Sequence, residues 1–337
     1  MTKSIQRFNA CSGLVVLVIL LMFSASLSGQ ATAPTLASNV AAGMDRPSQV
    51  PADYVITPFG YFHPSCVFEI EEEARLLADG RVEHANGTVD ANAPVCGYPH
   101  YTPTGVLVPA DLKNVSGANL GNQAPVVAGW LEYVSATTST SYGEIAATWV
   151  VPPLPSTNDG QILYFFPGLE DIDDVLSIVQ PVLQFGKSVA GGGDYWTVAS
   201  WNCCIAGVAW NSHLLKVSPG DTILGTITSK CKGLNYCADW KVISEDVTTG
   251  KKSTLSKTPA EGQVWNWGFS AVAEVYGVKQ CSDWPANDSL VFTVQVYDQN
   301  REVISDPGWI GTPAPGGTDP DCSYGLNVTD TQETLEY

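Results

Sequence analysis

The side chains that usually carry hydrolytic chemistry are scarce or badly spaced in this sequence. Its four histidines, His63, His84, His100 and His213, form no His-Glu-x-x-His pair and no metal-like cluster, so no metal is expected. Gly268-Phe-Ser270-Ala-Val272 lacks the closing glycine of a nucleophile elbow. No glycine-rich phosphate loop precedes a helix, and no cofactor is implied. An enzyme built from this chain must therefore work with carboxylates and amides. Two places are rich in carboxylates. In Glu69-Ile-Glu-Glu-Glu73 the acids at 69, 71 and 73 alternate, and Glu69 with Glu71 could serve as nucleophile and general acid of a polysaccharide hydrolase. Glu170-Asp-Ile-Asp173-Asp174 follows Pro167-Gly168 and reads as a polar loop. A reading without catalysis is a secreted lectin-like, carbohydrate-binding sandwich, with Trp149, Tyr164, Trp196 and Trp201 as stacking platforms for sugars.

The elements that must position these groups are short strands. From about Val126 the chain runs through β-branched and aromatic stretches punctuated by Gly, Pro, Asn and Asp. They include 143–151, 161–166, 175–185, 195–201, 214–218, 222–228, 239–245, 263–278 and 290–297. Strands at this spacing, with no long amphipathic helix between them, argue for an all-β sandwich or barrel. Residues 60–101 form a smaller unit with strand-like pieces between Cys66 and Cys96. The expected architecture is an antiparallel β-sandwich over 126–305, preceded by a disulfide-linked β lobe within 34–125. A Gly/Pro-rich tail over 306–337 wraps the surface, tied by Cys322.

Residues 1–33 read as a signal peptide. Lys3 and Arg7 precede the apolar run Gly13–Phe23, which is too short for a hydrocarbon core ~30 Å thick, and small residues follow. Beyond Cys11 the chain keeps an even set of cysteines: Cys66, Cys96, Cys203, Cys204, Cys231, Cys237, Cys281 and Cys322. In an exported chain that implies a disulfide framework, with Cys66–Cys96 the most direct pairing. Sequons stand at Asn86, Asn114, Asn287 and Asn327. The formal charge of −18 becomes −20 once Lys3 and Arg7 are removed. Such a surface repels nucleic acid and anionic membranes, so the expected protein is secreted, extracellular and monomeric, with no stable membrane association. Only 15% of residues are charged and 45% are hydrophobic, which supplies a core rather than a disordered acidic tail.

One ordered set of motifs reaches the chemistry. Ala147-Thr-Trp-Val-Val-Pro152 is followed by the aromatic strand Leu163-Tyr-Phe-Phe166, then by Gly168-Leu-Glu-Asp171. Ser177-Ile-Val-Gln180-Pro-Val-Leu-Gln184-Phe-Gly comes next. Val217-Ser-Pro-Gly-Asp-Thr222, Val247-Thr-Thr-Gly250 and Trp265-Asn-Trp-Gly-Phe-Ser-Ala-Val-Ala-Glu274 complete the set. Their order resembles the eqolisins, the glutamic peptidases of fungi and bacteria, over roughly residues 128–300. The plant neprosins look like distant relatives, with glutamate at the place of the catalytic glutamine and another glutamine four residues on. Gln180 and Gln184 match that spacing, and Tyr195-Trp-Thr197 is neprosin-like. Two departures stand out. Pro181 directly follows Gln180, which in a strand implies an edge or a bulge, and Phe166-Pro167 replaces the family's tryptophan.

The resemblance implies a concanavalin-like jelly roll that cleaves proteins or peptides at acidic pH. Glu274 would activate the water and Gln180 would stabilise the oxyanion, while Gln184, Trp149, Tyr164, Trp196 and Trp201 would bind substrate. The segment 34–125 has no counterpart and is expected either to be a prosegment or to remain as an extra lobe. In the first case the acidic run Glu69–Glu73 would hold it over the cleft until protonated, and the 102–125 junction would be cut.

Overall fold

The computed structural model describes residues 45–109, 130–205, 207–258 and 263–337. The expected signal peptide over 1–33, Asn114 and most of the 102–125 junction lie outside the described residues. The N-terminal lobe carries β1 (Val55–Thr57), β2 (Gly60–Phe62), β3 (Val67–Ile70), β4 (Arg75–Leu76), β5 (Val82–Glu83), β6 (His100–Tyr101) and β7 (Leu107–Val108). Then come β8 (Glu132–Thr137), β9 (Tyr142–Val150), β10 (Ile162–Asp171), β11 (Asp174–Ser188), β12 (Gly191–Ile205), β13 (Val208–Ser212) and β14 (Leu215–Lys216). They continue as β15 (Thr222–Ser229), β16 (Trp240–Asp246), β17 (Lys251–Thr258), β18 (Trp267–Tyr276) and β19 (Ser289–Asp298). The chain closes on β20 (Ile310–Thr312), β21 (Gly325–Val328) and β22 (Gln332–Glu336).

Among the described residues two large sheets face each other. One has nine strands, with the path β20-β8-β18-β10-β11-β12-β13-β3 and β14 beside β12; the other has seven, in the order β17-β16-β15-β9-β19-β22-β21. Where consecutive strands are neighbours, as in β10-β11-β12-β13 and β15-β16-β17, short connections return each strand antiparallel to its predecessor. Alternation then sends one set of side chains into the interior. Along β15 and β16 every second residue is buried. β10 is buried at every position, so its outer face is covered as well.

Gly225 on β15 shows how closely the sheets approach. A Cβ there would lie 2.6 Å from Pro181 Cγ and 2.9 Å from the Trp149 ring. Pro181 and Trp149 therefore fill the interior between the sheets. Pro181 is not at an edge: β11 lies between β10 and β12. Leu163 pairs with Phe185, Phe165 with Leu183 and Leu169 with Val179, so the same register sets Pro167 across from Pro181. Neither proline has an N–H to donate, which explains the gap in the ladder at that point.

The tail differs from the expected surface wrap. Its last residues supply β20 to the first sheet and β21 and β22 to the second, while Cys322 is tied to Cys281. Cys66–Cys96 forms as expected, and Cys203–Cys204 and Cys231–Cys237 complete the described pairings. Asn86 and Asn327 are exposed. The Asn287 amide is engaged with the Ser289 carbonyl at 2.5 Å.

The lobe grips the sandwich at several places. β3 extends the nine-stranded sheet by parallel pairing with β13, and the Phe68 ring tilts over Trp210 at 5.4 Å. The Ser256 hydroxyl donates to the Ala74 carbonyl at 2.8 Å. β1, β2, β6 and β7 make a separate small sheet, whose β1–β2 turn reaches the outer face of the large one.

Candidate active site

Three adjacent strands gather the candidate residues. Gln184 on β11 is opposite Tyr164 on β10, and Tyr164 is opposite Glu274 on β18, so the three share one face and one row. Gln180 lies on the same face of β11, opposite Trp201 on β12. Since Pro181 points into the interior, Gln180 and its row point outward, toward the lobe.

The lobe's turn meets them there. The Gln180 side-chain amide donates to the Pro58 carbonyl. The Tyr276 hydroxyl lies 3.3 Å from the Thr57 carbonyl and also engages Oε1 of Glu274. The Gly60 N–H and the Trp130 indole act on the Glu274 carboxyl, although neither closes an aligned hydrogen bond and Oε2 has no such partner. The Tyr61 ring stands edge-on to Tyr276 with centroids 5.3 Å apart. One stretch of backbone, Thr57–Gly60, thus touches the surroundings of both Gln180 and Glu274.

Burial dominates the electrostatics. Glu274 is fully buried, which pushes its carboxyl up to about 8 against the lowering pull of Tyr276, Trp130 and Gly60. Glu170 on β10 is also fully buried with neither oxygen partnered. Burial, and then the neighbouring Glu274, hold its carboxyl well above the ordinary range. In both acids burial therefore favours the protonated form.

Several sequence expectations need correction. Trp149 and Trp196 are core residues: Trp149 packs on Phe292, and Trp196 packs on Phe165 and Phe185. Neither presents a face to a substrate or a sugar. Trp201 and Tyr164 do belong to the site face but are buried beneath the lobe. The Gln184 amide donates to the carbonyls of Gly186 and Gly191, and its oxygen accepts from Ser188. With both amide hydrogens committed, Gln184 fastens the β11–β12 hairpin and has no donor left for a substrate. Strand β3 ends at Ile70, and Glu69, Glu71, Glu72 and Glu73 are exposed. Glu72 and Glu73 line a surface cavity with His213 and Lys252, whereas the expected pair Glu69 and Glu71 does not line it, and none of the four makes the contact that holds the lobe on Gln180 and Glu274. Among the described residues no cluster of His, Cys, Asp and Glu could hold a metal.

Sequence reasoning missed Glu170, Tyr276, Trp130 and the Thr57–Gly60 turn. Tyr276 was within reach, because residues two apart on a strand share a face. Glu170 was hidden by its acidic neighbours, which mark the end of β10 rather than a loop starting at 170.

No known family model and no curated protein matches the sequence. Among solved structures, the chain is similar to scytalido-glutamic peptidase bound to a peptide-based transition-state analogue. The identity is 16% and the TM-score 0.45, with 62% of this chain and 98% of that one covered. It is similar to glutamic peptidases. SCP-B, an eqolisin bound to the tripeptide Ala-Ile-His, matches at 15% identity and TM-score 0.44 over 62% of this chain and 98% of its own. Aspergilloglutamic peptidase from Aspergillus niger matches at 16% and 0.32 over 53% and 99%.

Proposed function

We propose that this chain is a secreted glutamic-type endopeptidase, active in acid and folded with its cleft closed by its own N-terminal lobe. The observation that carries this reading is the Gln180 amide bonded to the Pro58 backbone carbonyl while the same turn lies against Glu274. A side-chain amide that binds a peptide carbonyl is placed to bind the oxyanion that develops there. In the open enzyme Glu274 takes a proton from water as the water's oxygen bonds to the scissile carbonyl carbon. The carbonyl electrons move to the oxygen held by Gln180. Collapse breaks the C–N bond, and Glu274 returns its proton to the departing amine. Readmitting water to the cleft lowers the carboxyl from its buried value, which makes Glu274 available as a base.

The lobe, within 34–125, acts in this reading as a prosegment whose Thr57–Gly60 turn lies where a substrate would. The test is to incubate the purified full chain from neutral to acidic pH and follow mass, N-terminal sequence and cleavage of denatured protein. New N-termini between Pro103 and Val127, with activity that resists pepstatin, thiol alkylation and EDTA together, are the expected result. A folded Glu274→Gln variant that still processes itself and cleaves substrate overturns the reading.

A further inference from the structure

Tyr276 lies two residues beyond Glu274 on β18 and is fully buried. Its hydroxyl reaches two acceptors, Oε1 of Glu274 and the Thr57 carbonyl at 3.3 Å. A phenol has one proton, so it cannot donate to both. If Glu274 is ionised, the hydroxyl donates to the carboxylate and the Thr57 carbonyl loses this donor. If Glu274 is protonated, the acid donates to the phenol oxygen, the phenol proton turns to the Thr57 carbonyl, and both contacts become hydrogen bonds. The other groups facing Glu274 are Tyr164 and Glu170 from β10, Tyr61 and the Gly60 N–H from the lobe, and the Trp130 indole. None is a cation; Arg46 sits over the Tyr61 ring, 4.9 Å from its centroid. Among the described residues the Tyr276 hydroxyl is the group in bonding geometry with the Glu274 carboxyl, whose Oε2 has no partner, so the hydroxyl is the partner that responds to its protonation.

Resting on the peptidase reading, we infer that Tyr276 is a further residue of the reaction, one that grips the substrate backbone only when Glu274 holds a proton. The carbonyl it grips is that of the residue preceding the one whose carbonyl Gln180 binds, as Thr57 precedes Pro58. Before water attacks, Glu274 is a carboxylate and Tyr276 donates to it. Once Glu274 has taken the water's proton, that acid donates to Tyr276, and Tyr276 donates to the peptide. The new bond exists in the tetrahedral intermediate and not in the ground state, which is the condition for a contact to raise kcat rather than merely lower KM. No atom is gained or lost: one proton moves from water to Glu274, and the phenol proton changes acceptor.

Two measurements test this. In the processed enzyme, Tyr276→Phe is expected to lower kcat at least tenfold with KM within about threefold. It also removes the donor to the free carboxylate, so the acidic limb of the kcat/KM profile moves up by about one pH unit. An unmoved limb, or a loss confined to KM, overturns the inference. The second measurement needs no activity. In the full chain carrying 13C-carbonyl threonine and 15N-proline, the Thr57–Pro58 resonance is assigned by its loss in Thr57→Ser. It is expected to shift with pH in the wild type and to stay still in Tyr276→Phe and in Glu274→Gln. A Thr57 signal that titrates equally in Tyr276→Phe overturns the relay even where peptidase activity is sound. An inactive wild type with a Tyr276-dependent signal overturns the peptidase reading and leaves the proton coupling standing.

Discussion

The Gln180 amide and the Pro58 carbonyl are bonded across the boundary between the sandwich and its N-terminal lobe. An amide buried on a strand face needs a partner, and here the partner is a peptide group of the kind an endopeptidase must hold. Removing one oxyanion donor typically costs about 2.7–4 kcal/mol in the barrier. Gln180→Leu in the processed enzyme is therefore expected to lower kcat by about 10²–10³-fold with a much smaller change in KM. Steady-state kinetics on a denatured protein or peptide substrate in acid check it, and an unaltered kcat removes Gln180 from the mechanism.

His100 is expected to make the lobe sensitive to acid. Its ring is fully buried, stacked on Phe62 with centroids 4.5 Å apart, and near Phe59 at 6.1 Å. Nε2 has no partner, and burial alone holds the ring's pKa down to about 3. No charged group of β1, β2 or β7 opposes this effect. The folded lobe thus binds fewer protons than the unfolded one between about 3 and the unperturbed ~6.5. The contribution to stability is intact above the higher value and falls as pH drops through that window, by at most about 1.4 kcal/mol per unit. His100→Phe keeps the aromatic stack and removes the titration. It is expected to lower the pH of half-maximal processing by at least one unit, read by mass after a fixed incubation. An unchanged midpoint excludes His100 as the acid-sensitive element.

How much of this was legible depends on whether the signal was local. Alternation from Thr222 to Ser229 and from Trp240 to Asp246 marks strands without any tertiary knowledge, and both form close to where the pattern puts them. Glu274 and Gln180 could be picked out only as members of an ordered motif set, because nothing local separates them from other polar residues on strands. Trp149 and Trp196 look like binding aromatics in sequence. Which sheet face they occupy depends on register and on Gly225 in a distant strand. The turn at Thr57–Gly60 was invisible for the same reason, since its partners Gln180 and Tyr276 lie more than a hundred residues away. The acidic run at 69–73 attracted attention through composition, although composition says nothing about which part of a lobe touches a cleft.

The sandwich should respond to pH in the opposite sense to the lobe. Glu132 on β8 and Glu333 on β22 are fully buried without aligned partners, and each is pushed up to about 8. Burial is the main cause in both; Glu336 adds to it at Glu132, and the Ser270 hydroxyl opposes it at Glu333. A carboxyl whose folded pKa lies above its unfolded value of ~4.3 stabilises fully below the unfolded value. That stability is lost as pH rises through the folded one. Urea midpoints are expected to fall from pH 4.5 to pH 9, and Glu132→Gln with Glu333→Gln should flatten the slope. Glu170 and Glu274 keep it from vanishing. A midpoint that rises over this range contradicts the assignment. With His100 acting in reverse, acid is expected to strengthen the sandwich while loosening the lobe.

Gly60 offers a test of whether the β1–β2 turn closes the proposed cleft. It sits at φ +110°, where residues with a Cβ are strained, and a Cβ there would lie 2.1 Å from the Tyr101 carbonyl oxygen. That oxygen is backbone of β6, so it cannot swing aside as a side chain would. Gly60→Ala adds strain of order 1–3 kcal/mol from the backbone alone, and the steric overlap comes on top of it. The relief nearest to hand is for the β1–β2 turn to lift, taking the Pro58 carbonyl from Gln180 and the Thr57 carbonyl from Tyr276. Gly60→Ala is therefore expected to process itself at least one pH unit closer to neutrality than the wild type and to cleave denatured protein without a lag. The urea midpoint of the processed body should not change, because the substituted residue leaves with the lobe. Fluorescence of the Trp130 indole beside Glu274 can be followed in parallel, with Trp130→Phe as the blank. If Gly60→Ala needs as much acid as the wild type and shows the same lag, the turn is not what closes the cleft.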